Sequence, residues 1–190
     1  MGKKRKAQYI HLLQLPIERV LPAIDPEGKD FDFDGHRVNI HSLRLQTFKE
    51  NSTDCVTCGI KGSYFWVDRF NAKCKVDRSH LNLYAVNDAG EEILMTHDHI
   101  LSRSRGGADS IENTQTMCCV CNFLKAKVAV LIENAQQAIL RHETNYTRLS
   151  EEQRQGEPGL FLTGHIAELR AEIQKLQKSS PEAHAELQSI

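Results

Sequence analysis

The chain has 190 residues and a formal net charge of −1, and 40% of its residues are hydrophobic. This length suits one domain with appendages, and the near-neutral charge excludes a protein whose whole surface binds polyanions. Any nucleic-acid surface must therefore be local. The basic residues that could form one lie at the amino terminus and in the middle of the chain: Lys3, Lys4, Arg5, Lys6, Lys61, Arg69, Lys73, Lys75 and Arg78.

The first 30 residues predict a basic leader followed by a short apolar segment. Polar residues such as His11 and Glu18 interrupt the apolar ones, so this segment does not have the composition of a signal peptide. No stretch approaches the roughly 20 apolar residues of a membrane span. We therefore expect a cytoplasmic protein with no membrane partner, whose six cysteines are reduced.

The middle of the chain predicts short strands joined by tight turns. Alternating apolar and polar residues around Asp34-Gly35 predict a hairpin over residues 31–40. Ser42 is expected to cap a helix that continues to Phe48. Further strands are predicted at residues 64–67, 80–86, 92–97 and 116–118, the second and third of them joined by a turn at residues 87–90.

Two helices are predicted towards the carboxyl terminus. The first begins at Cys121, continues to about Tyr146 and carries a broad apolar stripe: Phe123, Leu124, Val128, Leu131, Ile132, Ala135 and Ile139. Residues 156–159 interrupt the chain. An amphipathic helix of about two heptads then follows, with Leu162, Ile166, Leu169, Ile173 and Leu176 on one face. This helix either packs back on the domain, which we favour, or forms a homodimer.

The cysteines form two Cys-x-x-Cys pairs, Cys55 with Cys58 and Cys118 with Cys121. Two such pairs are typical of a tetrahedral site in which four thiolates bind structural Zn²⁺. Cys74 and Cys119 remain, and we expect both to be free thiols.

Four polar residues between the second hairpin and the first long helix suit phosphodiester hydrolysis. Asp98 and Asn122 offer a carboxylate and an amide oxygen, which are hard ligands for Mg²⁺ or Mn²⁺. Histidine suits a general base because it titrates near neutrality, so His99 is the candidate base. Asn113 could orient the ring of His99 or brace the loop. A twist at the strand end must bring Asp98 and His99 together, because neighbouring strand residues face opposite sides.

The sequence in this region resembles the HNH endonuclease motif, a ββα-metal finger. The resemblance rests on Asp98-His99-Ile100, Gly106-Gly107, Asn113 and Cys118-x-x-Cys121-Asn122-x-x-Lys125, with the spacing His99-x13-Asn113-x8-Asn122. It implies that His99 is the general base, that Asp98 and Asn122 bind the catalytic divalent ion, and that Asn113 orients the base and the loop. It also implies a structural role for zinc at Cys55, Cys58, Cys118 and Cys121. Two positions depart from the common pattern: Asn122 stands where many members have histidine, and Ser102 where many have proline.

The resemblance implies an α+β fold with a ββα-metal finger core, a zinc site, flanking hairpins and a helical C-terminal tail. We expect a leader at residues 1–30, a nuclease domain at 31–149 with its motif core at 92–127, and a linker with the amphipathic helix at 150–190. Basic residues around the motif are the expected DNA contacts: Arg103, Arg105, Lys125 and Lys127. His97 is interpreted as an exposed strand residue.

The sequence therefore predicts a metal-dependent endonuclease that hydrolyses DNA, with Mg²⁺ or Mn²⁺ as catalytic cofactor and Zn²⁺ as structural cofactor. A homodimer through the C-terminal helix is an additional prediction. Two alternatives stay open: a zinc-stapled DNA-binding protein that does not cut, and a nuclease that acts on RNA. Small phage or mobile-element members of the family are the most similar in size and motif, which would place the protein in the host cytoplasm.

Overall fold

The computed structural model of the protein describes residues 9–70 and 79–179. The predicted basic residues Lys3, Lys4, Arg5, Lys6, Lys73, Lys75 and Arg78, and the predicted free thiol Cys74, lie outside these ranges. The described residues form two compact units, which divide between Asn122 and Phe123. As expected from the sequence, helices and a mainly antiparallel sheet are combined, and the carboxyl-terminal part is helical.

The first unit contains the sheet. Its described strands are β1 (Tyr9–Pro16), β2 (Phe31–Phe33), β3 (His36–Val38), β4 (Gly62–Phe70), β5 (Ser79–Val86), β6 (Glu92–His99) and β7 (Thr114–Cys118). Two short helices, α1 (Ile17–Val20) and α2 (Leu43–Glu50), lie between strands. Single 3-10 turns occur at Leu21–Ala23, Arg103–Arg105 and Ile111–Asn113.

Strand β6 changes its pairing partner along its length, and this leaves a gap between β6 and β5. The main path of the sheet is β1-β4-β5-β3-β2, in which only β3 and β5 are parallel. At its beginning β6 pairs with the end of β5, from Glu92 opposite Val86 to Leu94 opposite Tyr84. It then pairs with β7 instead, from Met95 to His99. The end of β6 is therefore separated from the beginning of β5.

The predicted hairpins and the first predicted helix are confirmed. In the β2–β3 hairpin Asp34 and Gly35 have φ angles of 53° and 86°, the left-handed pair that a tight two-residue turn requires. The second hairpin joins β5 to β6. Helix α2 begins after Ser42, whose Oγ accepts a hydrogen bond from the backbone N–H of Leu45.

The structure adds a strand that the sequence did not predict. Residues 9–16, placed in the leader by the sequence analysis, form β1 and pair antiparallel with β4. Within β1 only Leu15 is fully buried, so the alternation of buried and exposed residues that identifies a strand is weak. Its partner is about 50 residues away in sequence, which no local pattern reveals.

Alternate residues of the central strands form the core. Phe65 and Val67 of β4 and Leu81 and Leu83 of β5 are buried, together with residues of α2 such as Phe48. The opposite face of these strands is polar, and its central residue is Asp68, which is 0% exposed.

A hydrogen-bond network satisfies the buried Asp68 carboxylate. It bonds with His11 Nδ1 at 2.5 Å and accepts hydrogen bonds from Asn82 Nδ2 at 2.7 Å and the Tyr84 hydroxyl at 3.0 Å. Arg44 of α2 joins this network because its Nη1 donates to Asn82 Oδ1 at 2.7 Å. Buried polar groups of this kind are tolerated only when they are fully hydrogen-bonded, so the network fixes the position of each member.

The second unit is helical. Helix α3 (Cys119–Thr147) starts in the last residues of the first unit and continues into the second, followed by α4 (Glu151–Gln155) and α5 (Glu157–Ser179). The predicted amphipathic helix is thus present, and its apolar stripe contains the buried Ile166. Helix α5 contacts α3: Arg170 Nη2 donates to Glu143 Oε1 at 2.7 Å, and the rings of His142 and His165 lie 4.8 Å apart.

None of the helices in the described ranges is long and apolar enough to cross a membrane.

Candidate active site

The two Cys-x-x-Cys pairs come together in the first unit. The sulfur atoms of Cys55, Cys58, Cys118 and Cys121 all lie within 4.8 Å of one another, and those of Cys58 and Cys118 are 3.9 Å apart. Four Zn–S bonds of 2.3 Å in a tetrahedron require sulfur separations of about 3.8 Å. The cluster therefore has the dimensions of a four-thiolate zinc site. Cys119 does not belong to it, in agreement with its predicted role as a free thiol.

Backbone geometry explains how the sequence builds this cluster. After Cys55 the chain turns tightly, because Gly59 adopts a φ of 73° and donates its N–H to the Cys55 carbonyl at 2.9 Å. Val56, the residue after Cys55, donates its backbone N–H to the Thr116 carbonyl at 3.0 Å. This hydrogen bond attaches the turn to β7. Cys118 ends β7 and Cys121 lies in the first turn of α3, so the cluster joins three separate elements.

The surroundings of Cys55, Cys118 and Cys121 shift the pKa values of these three thiols in different directions. Burial acts against ionisation of Cys55, but the backbone amides of Cys58 and Cys118 outweigh it and lower the pKa of this thiol to about 7. Burial raises the pKa of Cys118 and of Cys121, and neighbouring thiols add to the increase at Cys121. A bound cation would supply the charge that makes four thiolates stable together.

His99, the candidate base, lies at the end of β6 and is held by a carboxylate that the sequence analysis missed. Its Nε2 is 2.7 Å from Oδ1 of Asp109, and its side chain is only 17% exposed. Arg103 Nη1 contacts the other oxygen of Asp109 at 3.2 Å. The hydrogen bond from His99, followed by that from Arg103, lowers the pKa of Asp109, which therefore stays ionised. Nothing in the motif distinguishes Asp109 from other polar loop residues.

The side chain of Asn113 braces the loop between β6 and β7. Within the described ranges, its hydrogen bonds go to loop backbone atoms and not to the ring of His99. Its Oδ1 accepts from the Leu101 N–H at 2.9 Å, and its Nδ2 donates to the carbonyls of Leu101 and Ala108 at 3.0 and 2.9 Å. These bonds close the loop that carries Asp109. Of the two roles proposed for Asn113, the structure thus displays loop bracing.

Both glycines of the Gly106-Gly107 pair are required by the loop, for different reasons. Gly106 has a φ of 89°, a left-handed conformation that glycine adopts without strain. Gly107 passes so close to the backbone that an added Cβ would lie 1.8 Å from the Leu101 carbonyl oxygen.

Asp98 and Asn122 are associated with one face of β6. Asp98 Oδ2 accepts a hydrogen bond at 3.0 Å from Nε2 of Gln115, the residue opposite it on β7. Asn122 Nδ2 donates at 3.0 Å to Oγ1 of Thr96, which lies two residues before Asp98 and therefore on the same face. Gln115 and Thr96 were not predicted as site residues, because only the pairing of β6 with β7 and α3 reveals them.

The contact with Thr96 also fixes the orientation of the Asn122 amide. The single hydroxyl proton of Thr96 is donated to the Met117 carbonyl at 2.8 Å, so its oxygen can only accept from Asn122. The Asn122 amide nitrogen must therefore face Thr96, and its Oδ1 faces away. A carboxylate and an amide oxygen in this arrangement suit a hard divalent cation.

The other face of β6 carries His97 and His99, whose rings lie 5.7 Å apart. His97 is half-buried, not exposed as the sequence predicted, because it lines a cavity beside the first turn of α2. Burial, and then the positive charge of Arg44, lower the pKa of His97.

The predicted DNA contacts differ in exposure. Arg103 is exposed and is the partner of Asp109. Lys127 is also exposed, and its Nζ lies 4.6 Å above the ring of Phe123. Lys125 is only 5% exposed. Arg105 lies in the 3-10 turn just before Gly106.

Residues 88–127 match the family model of the HNH endonucleases, and this confirms the resemblance found in the sequence. The matched segment contains Asp98, His99, Asn113, Asn122 and one of the two cysteine pairs. No curated protein and no solved structure matches the chain.

The cysteine cluster leads to a prediction about metal content and stability. Cys55→Ser should greatly reduce zinc retained after desalting and lower the melting temperature, because metal affinity in such a site contributes to folding free energy. Cys119→Ser is the matched control, since Cys119 lies outside the cluster. Elemental analysis and thermal denaturation measure both quantities. Equal zinc content in wild type and Cys55→Ser would contradict the assignment.

The close approach at Gly107 predicts that Gly107→Ala displaces the loop. The added methyl group cannot coexist with the Leu101 carbonyl at 1.8 Å, and we expect a loss of about 1–3 kcal/mol in the free energy of unfolding. Gly164→Ala is the control, because a Cβ there meets nothing within 4 Å and alanine favours a helix. Urea denaturation of zinc-loaded protein measures the difference. A Gly107→Ala protein as stable as wild type would refute this loop conformation.

Proposed function

We propose that this chain, which carries an HNH endonuclease domain at residues 88–127, is a metal-dependent enzyme that hydrolyses DNA phosphodiester bonds. The observation that carries the proposal is the arrangement at the end of β6. A histidine bonded to a carboxylate lies next to Asp98, whose face of the strand also holds the Asn122 amide. We interpret β6, β7 and the start of α3 as the ββα-metal finger of this family.

In this proposal His99 is the general base. In the neutral tautomer whose Nε2–H donates to the ionised Asp109, Nδ1 of His99 can accept a proton from the attacking water. Asp109 acts as a positioning residue, because it selects this tautomer and limits rotation of the ring. Asn113 holds the loop that brings Asp109 to the histidine.

Asp98 and Asn122 would hold the catalytic Mg²⁺ or Mn²⁺ through their side-chain oxygens. When bound, such an ion stabilises the additional negative charge on the phosphate and on the leaving oxygen. Gln115 and Thr96 support this assignment, because they orient the two ligands through hydrogen bonds. The four cysteines would bind Zn²⁺ as a structural ion.

Arg103, Arg105, Lys125 and Lys127 are the proposed phosphate contacts. Exposure supports this role for Arg103 and Lys127, and the low exposure of Lys125 does not support it. We place the activity in the cytoplasm, where thiols stay reduced and can bind zinc. An origin in a phage or mobile element is proposed from the resemblance alone.

The mechanism predicts that substitutions at the neighbouring residues His99 and Asp98 reduce cleavage for different reasons. His99→Ala should slow nicking of supercoiled plasmid by roughly two to four orders of magnitude, the usual contribution of a general base, while metal binding persists. Asp98→Ala should fail through loss of the ion, so a high manganese concentration should partly restore it. His36→Ala, in the β2–β3 hairpin, is the matched control. Asp109→Asn should lower the rate by roughly 10–100-fold.

Several results would reject parts of this proposal. Nicking by His99→Ala at the wild-type rate would remove the base assignment. A zinc-loaded wild-type protein that binds plasmid but never cuts it, with either metal, would indicate a DNA-binding protein. Cleavage of RNA but not of plasmid would indicate an RNA-directed nuclease.

We further propose that a homodimer, if it forms, uses α5, although the contacts of α5 with α3 favour packing within one chain. Deletion of the residues after 150 should retain zinc and nicking, because the proposed catalytic residues lie before residue 123. The ratio of linear to nicked product should fall if dimers make double-strand breaks. Light scattering and plasmid cleavage on both forms test this. A folded truncation unable to nick would show that the tail belongs to the active site.

A further inference from the structure

A cavity of about 800 Å³ lies beside the candidate site in the first unit. It occupies the space left where β6 diverges from β5, and residues of β5, α2 and β6 are among those that line it. The beginning of β5 contributes His80, the first turn of α2 contributes Arg44, and the end of β6 contributes His97. The ring of His97 is 5.7 Å from the ring of His99, so the cavity is adjacent to the proposed base. Its volume falls in the range of ligand sites.

The two arginines of the cavity differ in how their charge is balanced. Arg37 Nε forms an ion pair with Asp30 at 3.3 Å. Arg44 instead donates to two neutral oxygens, Asn82 Oδ1 at 2.7 Å and the Leu81 carbonyl at 2.8 Å. Within the part of the chain that the structure describes, no carboxylate forms an ion pair with Arg44. The guanidinium of Arg44 therefore places a positive charge in the cavity wall, and its direct hydrogen-bond partners are neutral oxygens.

The chemistry of arginine suits a second role for this side chain. A guanidinium has five N–H donors in a fixed plane, and the two hydrogen bonds to Leu81 and Asn82 anchor it without using all of them. Burial lowers the pKa of Arg44, which indicates that the protein compensates its charge incompletely. An anion in the cavity would provide the missing compensation. The dipole of α2, whose first turn lines the cavity, adds to the same field.

We infer that this cavity is a subsite for the DNA phosphate adjacent to the scissile phosphate, with Arg44 as its anchor and His97 between it and the base. The inference rests on the proposed nuclease function and adds a substrate-binding position to it. Phosphate is the anion that fits, because DNA presents one at every nucleotide and guanidinium groups bind it through paired N–H donors. A strand placed for attack at His99 continues past His97, so its next phosphate meets the cavity.

Salt dependence of DNA binding tests this contact. Each phosphate neutralised by the protein contributes about one unit to the slope of log K against log salt concentration. In a His99→Ala background, which leaves the DNA uncut, Arg44→Gln should reduce this slope by about one and weaken binding of a fluorescent duplex roughly tenfold. Arg44→Lys should keep the slope because it keeps the charge. Arg19→Gln, which removes a charge paired with Asp34 outside the cavity lining, is the matched control.

A substrate change tests the same contact without altering the protein. After the cleavage site is mapped, duplexes are made in which the phosphate on either side of it is a neutral methylphosphonate. The wild-type protein should cut one of the two roughly tenfold more slowly. Arg44→Gln should cut both and the unmodified duplex at similar rates.

The outcomes separate this inference from the nuclease proposal. The subsite is rejected if zinc-loaded Arg44→Gln shows an unchanged salt slope for DNA binding. It is also rejected if the wild-type protein cuts all the duplexes at equal rates. In both cases the nuclease proposal is retained as long as the wild-type protein nicks plasmid. If Arg44→Gln loses zinc and unfolds, the wild-type comparison of duplexes decides. Absence of plasmid nicking by wild type would instead reject the nuclease proposal itself.

Discussion

The cross-link formed by the four cysteines is the constraint on which the candidate site depends. Cys118 and Cys121 lie at the end of β7 and in the first turn of α3, and Asn122 follows immediately. Cys55 and Cys58 come from a loop that is remote in sequence and is attached to β7 by the Val56 to Thr116 hydrogen bond. Burial and neighbouring thiols raise the pKa of Cys121, so a shared cation would favour its thiolate. A metal at the cluster would thus fix the start of α3 and, with it, the Asn122 amide.

Side chains alternate along β6, so the proposed metal ligands and the proposed base lie on opposite faces of the strand. Thr96 and Asp98 lie on the face that holds Asn122, whereas His97 and His99 lie on the opposite face, where His97 lines the cavity. A regular strand would keep Asp98 and His99 apart. His99 is the last residue of β6, and the loop beyond it turns back so that Asp109 reaches its Nε2. A phosphate approaching the strand end can therefore reach both faces, which a site in the middle of a strand would not allow.

Sequence patterns predicted the features that local interactions determine. The Asp34-Gly35 turn, the Ser42 cap and the β5–β6 hairpin each involve residues close in sequence, and the cysteine spacing indicated their cluster. Features that depend on distant pairing were missed. Strand β1 exists because of β4, Gln115 reaches Asp98 only through the register of β6 and β7, and Asp109 meets His99 only after the loop closes. Exposure was also misjudged at His97, because the gap between β5 and β6 is a tertiary feature.

Charge balance links the proposed metal to DNA binding. The chain has a net charge of −1, and two carboxylates, Asp98 and Asp109, lie at the proposed site. Asp109 contacts His99 and Arg103, and Asp98 accepts a hydrogen bond from Gln115. In the proposed function, an ion held by Asp98 and Asn122 would add positive charge where the phosphate binds. The divalent ion and the DNA should therefore strengthen each other's binding, and a neutral protein can act on a polyanion once its local site is loaded.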